Sequence, residues 1–161
     1  STLGPRPLQQ PHPPLWVAAM GPLALRQVGG LGLPYLASPL ESLSVLAENY
    51  RLHREAADAA GMGSIETVPV MRTVAVARNA ADEQGLRDAL AKSVPAQMAD
   101  KAGAVDDWAI VGDVLRVAEK LAEYVERLGM THLVARVQVS GIDETRRQYT
   151  LERLPALCDK L

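Results

Sequence analysis

Short apolar runs alternate with helical stripes along most of the chain. Leu15-Trp16-Val17-Ala18-Ala19 is continuous and apolar between Pro14 and Gly21, the pattern of a strand buried on both faces. Met20-Gly21-Pro22 turns the chain, and Pro22 suits the first position of a helix over about 22–31. Residues 33–37 predict a second strand, which Pro34 confines to an edge or to a late start. Ser38-Pro39 predicts the start of a long helix to about residue 60. Leu43, Leu46, Tyr50, His53 and Ala57 form its stripe, and Gly61 and Gly63 stop it. Val68, Val70, Val74 and Val76 predict a third strand within 65–77. Residues 79–92 read as a helix broken at Val94-Pro95, and 96–108 leave helix and loop both open. Residues 113–128 carry the clearest stripe, through Val117, Leu121 and Val125, ended by Gly129. Residues 131–138 predict a fourth strand, and 143–160 a last helix interrupted by Pro155.

Four strand–helix units in alternation predict an α/β fold with a parallel sheet and right-handed crossovers. Two architectures follow: a small open doubly wound sheet, or half of an eight-unit barrel. A whole barrel takes roughly 250 residues, and this chain has 161. Residues 1–14 hold five prolines and read as an extended connector ahead of the unit at 15–161. The chain opens on Ser1, which suggests that it begins inside a longer protein; a trimmed start is the alternative.

Charge and composition then narrow the chemistry. A net charge of −2 leaves no basic excess for nucleic acid. No apolar run reaches membrane length, and the one cysteine, Cys158, precludes an internal disulfide; both suit a cytoplasmic location. No histidine and carboxylate show metal-ligand spacing, so no metal is expected. Cys158 reads as a buried structural thiol, and Asp82, Glu83, Asp106 and Asp107 as solvated acids. His53 packs on a helix stripe, and His132 opens the last strand at the end opposite the usual catalytic side of a barrel. Gly29-Gly30-Leu31-Gly32 follows a helix instead of opening one, which disfavours a dinucleotide fingerprint. Arg72 lies in an otherwise apolar strand, where an unpaired charge is expensive; it is either a site residue or a structural ion pair. Arg136 raises the same question at a wetter strand end.

Four stretches in order carry a family resemblance. They are Pro7-Leu8-Gln9-Gln10-Pro11-His12-Pro13-Pro14-Leu15-Trp16-Val17-Ala18-Ala19; Gly32-Leu33-Pro34; Met71-Arg72-Thr73-Val74-Ala75-Val76-Ala77-Arg78 with Asn79-Ala80-Ala81-Asp82-Glu83; and Ile110-Val111-Gly112-Asp113 leading through Val117-Ala118 and Leu121 to Leu128-Gly129-Met130-Thr131-His132. Together they resemble the luciferase-like flavin monooxygenases. The resemblance implies the C-terminal half, about four βα units, of a TIM (βα)8 barrel, catalytically inactive by itself. It implies an oxidoreductase with reduced FMN as cofactor, or alternatively a deazaflavin, acting on a small organic substrate. The partner it implies is an N-terminal half-barrel, from the same protein or another chain, or a homo-oligomer. A non-catalytic half-barrel that self-associates is the alternative function. By the same resemblance Met20, Gly21, Leu23 and Ala24 hold the cofactor phosphate, although the turn lacks the hydroxyl side chains common there. Arg72 faces the barrel lumen as a catalytic residue, and residues 94–110 form a lid.

Overall fold

The computed structural model describes residues 8–95, 103–138 and 140–159. Its elements run β1 (Val17–Ala18), α1 (Pro22–Gly30), β2 (Tyr35–Leu36), α2 (Leu43–Ala59), β3 (Pro69–Val76) and α3 (Ala80–Ser93). There follow α4 (Val105–Trp108), β4 (Ala109–Gly112), α5 (Val114–Leu128), β5 (His132–Arg136) and α6 (Glu144–Cys158). Every strand pairing is parallel. β1 pairs with β2, and β3 stands between β4 and β5. β5 runs beside the first part of β3, from Pro69↔His132 to Thr73↔Arg136. β4 runs beside the second part, from Thr73↔Ala109 to Val76↔Gly112. Tyr50 joins the two sheets: its hydroxyl donates to Pro69 O at 2.6 Å, with Tyr35 O 3.3 Å away.

Side-chain caps start four of the helices. Ser42, Asn79, Asp113 and Asp143 each accept from the N–H three residues on, satisfying a donor the helix itself leaves open. Gly129 ends α5 in the left-handed conformation. At Gly29 the requirement for glycine is steric: a Cβ would lie 2.2 Å from the carbonyl oxygen of His53, so α1 and α2 cross only because no side chain intervenes. That contact is the use of the Gly29-Gly30-Leu31-Gly32 run.

Strand alternation divides β3 into two faces. Val70, Val74 and Val76 join the larger core with Leu25, Leu46, Leu121 and Leu157, under the outer helices. Ala75 and Ala77 face the other way and pack with Leu86, Leu90 and Trp108. This inner face is therefore covered near the C-terminal end of β3 by α3 and α4.

The structure corrects several expectations. There are five strands among the described residues, because Ala109–Gly112 pairs with β3 and does not merely lead into a helix. The long helix starts at Leu43, capped by Ser42; Ser38 and Glu41 instead bend so that their carbonyls meet Arg72. Pro155 does not interrupt the last helix, since Leu154 and Leu157 anchor the turn on both sides while Pro155 itself is exposed. Cys158 is exposed, not buried. Of the lid at 94–110, residues 96–102 lie outside the described residues, and Val105 to Ile110 belong to α4 and β4, with Trp108, Ala109 and Ile110 buried. Among the described residues no helix is long and apolar enough to cross a membrane.

Candidate functional site

Parallel pairing brings the C-terminal ends of all strands to one mouth, the side where loops of such folds gather chemical groups. Three features stand there: the turn after β1, the salt-bridged start of α3, and a cavity between β3, β5 and α4.

The turn is Met20-Gly21-Pro22. Gly21 has φ 81° and ψ 163°, a conformation that a side chain would strain, and a Cβ built on it would touch nothing within 4 Å. It caps α1 without any side-chain acceptor, so by helix geometry the N–H groups of Leu23 and Ala24 have no partner within the helix. Pro22 has no N–H to offer. Met20 and Leu23 are largely exposed around this opening. The turn thus presents backbone donors, the positive end of a helix and free space, but no charged or hydroxyl side chain. An anionic group such as a phosphate fits such a place through backbone alone.

Arg72 departs from expectation. It lies on the same face of β3 as Val70 and Val74, under the outer helices and away from the lumen, and is fully buried. Its Nε donates to Tyr124 Oη at 2.7 Å, Nη1 to Ser38 O at 2.8 Å and Nη2 to Glu41 O at 2.6 Å. The guanidinium sits 5.2 Å from the centre of the Tyr124 ring. Those partners use its donors, and alternation fixes its side, so the lumen-facing catalytic placement is corrected: Arg72 ties the loop before α2 to β3 and α5. The signal in the sequence was Val74, which shares its face and belongs to the aliphatic core.

Asp82 also departs from expectation, being buried instead of solvated. Its Oδ2 accepts from the Arg78 N–H and Nε, both at 3.0 Å, and its Oδ1 accepts from Arg146 Nε at 2.8 Å. Hydrogen bonds from Arg78, ahead of the opposing effect of burial, hold its carboxyl down at about 2. The contact links the starts of α3 and α6, and the two arginines fully engage the Asp82 carboxylate.

The cavity is of another kind. It has a volume of about 180 Å³ and is lined by Thr73, Ser93, Trp108 and Arg136, with Leu40, Val94 and Pro95 as its apolar wall. Thr73 and Trp108 are 1% and 2% exposed. The Trp108 Nε1–H is buried with no acceptor, a state that costs about 1–3 kcal/mol. Arg136, paired in register with Thr73, forms no ion pair with a described residue. Pattern reading offers Trp108 only within the segment at 94–110 and gives Thr73 no role; the structure buries both. At the other end of the inner face, Trp16 packs edge-on against His132 with ring centres 5.3 Å apart. Among the described residues, no three His, Cys, Asp or Glu side chains gather as metal ligands.

Comparisons with known proteins agree with this geometry. The family model described as luciferase-like monooxygenase matches residues 2–132. No curated protein sequence matches. Among solved structures, monooxygenase RslO1 from Streptomyces bottropensis superposes with TM-score 0.69 at 19% identity, over 94% of this chain and 49% of that one. Apo-MsnO8 gives 0.70 at 20% identity, over 98% and 54%. The oxygenating constituent of 3,6-diketocamphane monooxygenase from Pseudomonas putida, solved in complex with FMN, gives 0.61 at 19%, over 88% and 47%. The chain therefore spans about half the length of these proteins, and its parallel arc is half of a (βα)8 barrel.

Proposed function

Because the chain belongs to the luciferase-like monooxygenase family, we propose that it is the C-terminal half of a flavin-dependent monooxygenase barrel and supplies one wall of the active site. The observation that carries this reading is the glycine-only turn at Gly21, which opens α1 at the mouth of the arc with unused backbone donors and empty space beside it. Met20, Gly21, Leu23 and Ala24 would hold the cofactor phosphate there. When bound, reduced FMN supplies the redox chemistry that activates oxygen toward a small organic substrate. The residues of this chain anchor the phosphate, line the mouth and limit water through the cover that α3 and α4 place over the inner face.

The partner is a set of N-terminal βα units that completes the ring, from the same polypeptide or another chain. Two features support this occupant: the outer edges of β1 and β5 are unpaired among the described residues, and the solved relatives are about twice as long. Without that second arc this half does not turn over substrate. Pairing of two copies is the competing outcome, read by the mass of the assembly in solution.

The test is a flavin titration of the complete protein. Leu23 is 72% exposed and lies in the first turn of α1. A carboxylate there favours the helix dipole, so Leu23→Glu keeps the fold while repelling a bound phosphate. FMN is expected to weaken at least about tenfold, with riboflavin affected little. Equal weakening of both, or of neither, would overturn the phosphate assignment. A parallel titration with a deazaflavin decides between the two cofactors.

A further inference from the structure

Two rings from opposite ends of the arc meet inside it. Trp16 directly precedes β1 and His132 opens β5, and their ring centres stand 5.3 Å apart with 62° between the planes. Val17 and Leu133 pack on the larger core under the outer helices, so alternation turns Trp16 and His132 to the inner face. Thr131 sets the histidine in place: its Oγ1 accepts from Val68 N–H at 2.8 Å and lies 2.9 Å from His132 Nδ1. Both rings lie at the N-terminal ends of their strands, away from the mouth, and both remain exposed at this lower rim.

The strands between them are β2 and β3, which the Tyr50 hydroxyl bridges. β5 is therefore third from β1 around the wall. In a ring of eight strands, spaced ~4.8 Å and tilted ~36°, a strand three places on stands about 14 Å across the lumen. An indole and an imidazole that reach toward each other span a gap of that order, so the arc already has the curvature of a complete ring. Lumens of this kind are packed in layers, each drawn from alternate strands. β1 and β5, an odd number of places apart, do not belong to one such layer. Their contact takes up room on the axis that side chains of the completing strands would otherwise use.

We propose that Trp16 and His132 together form the floor of the barrel, and that the second arc meets them with small side chains, glycine, alanine or serine, at the starts of its strands. The interaction surface is the lower rim of this half, and the partner it fits is an arc that leaves the floor vacant. This rests on the reading that a second arc completes the ring. A bulky side chain from that arc at this level would force the two rings apart.

The experiment uses the complete protein, isotopically labelled. The Trp16 indole signals are assigned by their loss in Trp16→Phe, and those of the His132 imidazole by their loss in His132→Gln. A nuclear Overhauser contact between the two rings is expected. Its absence overturns the proposal, because the second arc then stands between them. Trp16→Ala and His132→Ala are each expected to lower the thermal midpoint by a few degrees, and the double variant by clearly less than their total. Additive shifts also overturn the proposal. If Trp16→Ala does not fold, the ring contact in the parent protein still decides. FMN binding without the ring contact sinks this inference and leaves the monooxygenase reading standing; the ring contact without FMN binding does the reverse. An assembly that holds no second arc overturns both.

Discussion

The two faces of β3 treat their polar groups in opposite ways. On the helix side, Arg72 spends its donors on Tyr124, Ser38 and Glu41, and Thr150 of α6 accepts from Val76 N–H at 3.0 Å while donating to Arg146 O at 3.2 Å. On the inner side, the Trp108 Nε1–H is buried without an acceptor, and the Thr73 and Arg136 side chains make no hydrogen bond with a described residue. Among the described residues only the helix side has its buried polar groups bonded. A buried polar group that is fully bonded belongs to the architecture. Satisfaction, more than burial or residue type, separates the two faces of β3.

The sharpest way to break that contrast is to remove Arg72. Arg72→Ala strands the Tyr124 hydroxyl and two carbonyl oxygens in a dry layer and leaves a void the size of the side chain. We expect a loss of about 3–5 kcal/mol in unfolding free energy, read by urea denaturation. Arg72→Lys keeps the charge but not the three-way reach, and should recover part of the loss. If Arg72→Ala instead left stability intact and altered only turnover, the assignment of this arginine to the scaffold would be wrong.

Much of the architecture was legible from periodicity alone. The strand–helix alternation, the stripe of α5 and the break at Gly129 follow from local chemistry that tertiary contacts did not override. What escaped was non-local. Ala109–Gly112 is too short to announce a strand and becomes one only through its pairing with Thr73–Val76. Asp82 reads as an acid in a helix start, and nothing near it in sequence shows that Arg146, 64 positions away, will bury it. Arg72 was visible as an anomaly, but its side of the strand depended on which face the outer helices cover. The turn at Gly21 was legible because its requirement is local: a backbone conformation reserved for glycine just before a helix-starting proline.

Asp82 sharpens the comparison at intermediate scale, since it is a second saturated group on the scaffold. Its carboxyl titrates lower in the folded chain, at about 2, than in the unfolded chain, where it follows the ordinary value of 3.8. A depressed folded value means that the stabilisation is fully present above pH ~4 and is lost as pH falls toward ~2. The contribution is on the order of 2 kcal/mol or less, because Arg78 is 41% exposed and screened. Asp82→Asn should therefore lower stability at pH 7 and flatten its dependence between pH 4 and 2. An unchanged acid slope in the variant would remove Asp82 from the scaffold.

The smallest effect is the most diagnostic, because it compares like with like. Thr150 and Thr73 are 3% and 1% exposed, and valine replaces threonine with nearly the same shape. In Thr150→Val the buried N–H of Val76 loses its acceptor, so stability should fall by about 1–2 kcal/mol. In Thr73→Val no hydrogen bond with a described residue is lost, and a buried hydroxyl becomes a methyl group. The change should stay within roughly 0.5 kcal/mol of zero, or be mildly stabilising. Thermal unfolding of the two variants side by side reads the difference directly. Equal losses would mean that the Thr73 hydroxyl is already engaged, and the inner face would then be scaffold like the outer one. A loss at Thr150 alone shows that the fold does not need the hydroxyl at Thr73 and keeps the contrast between the two faces.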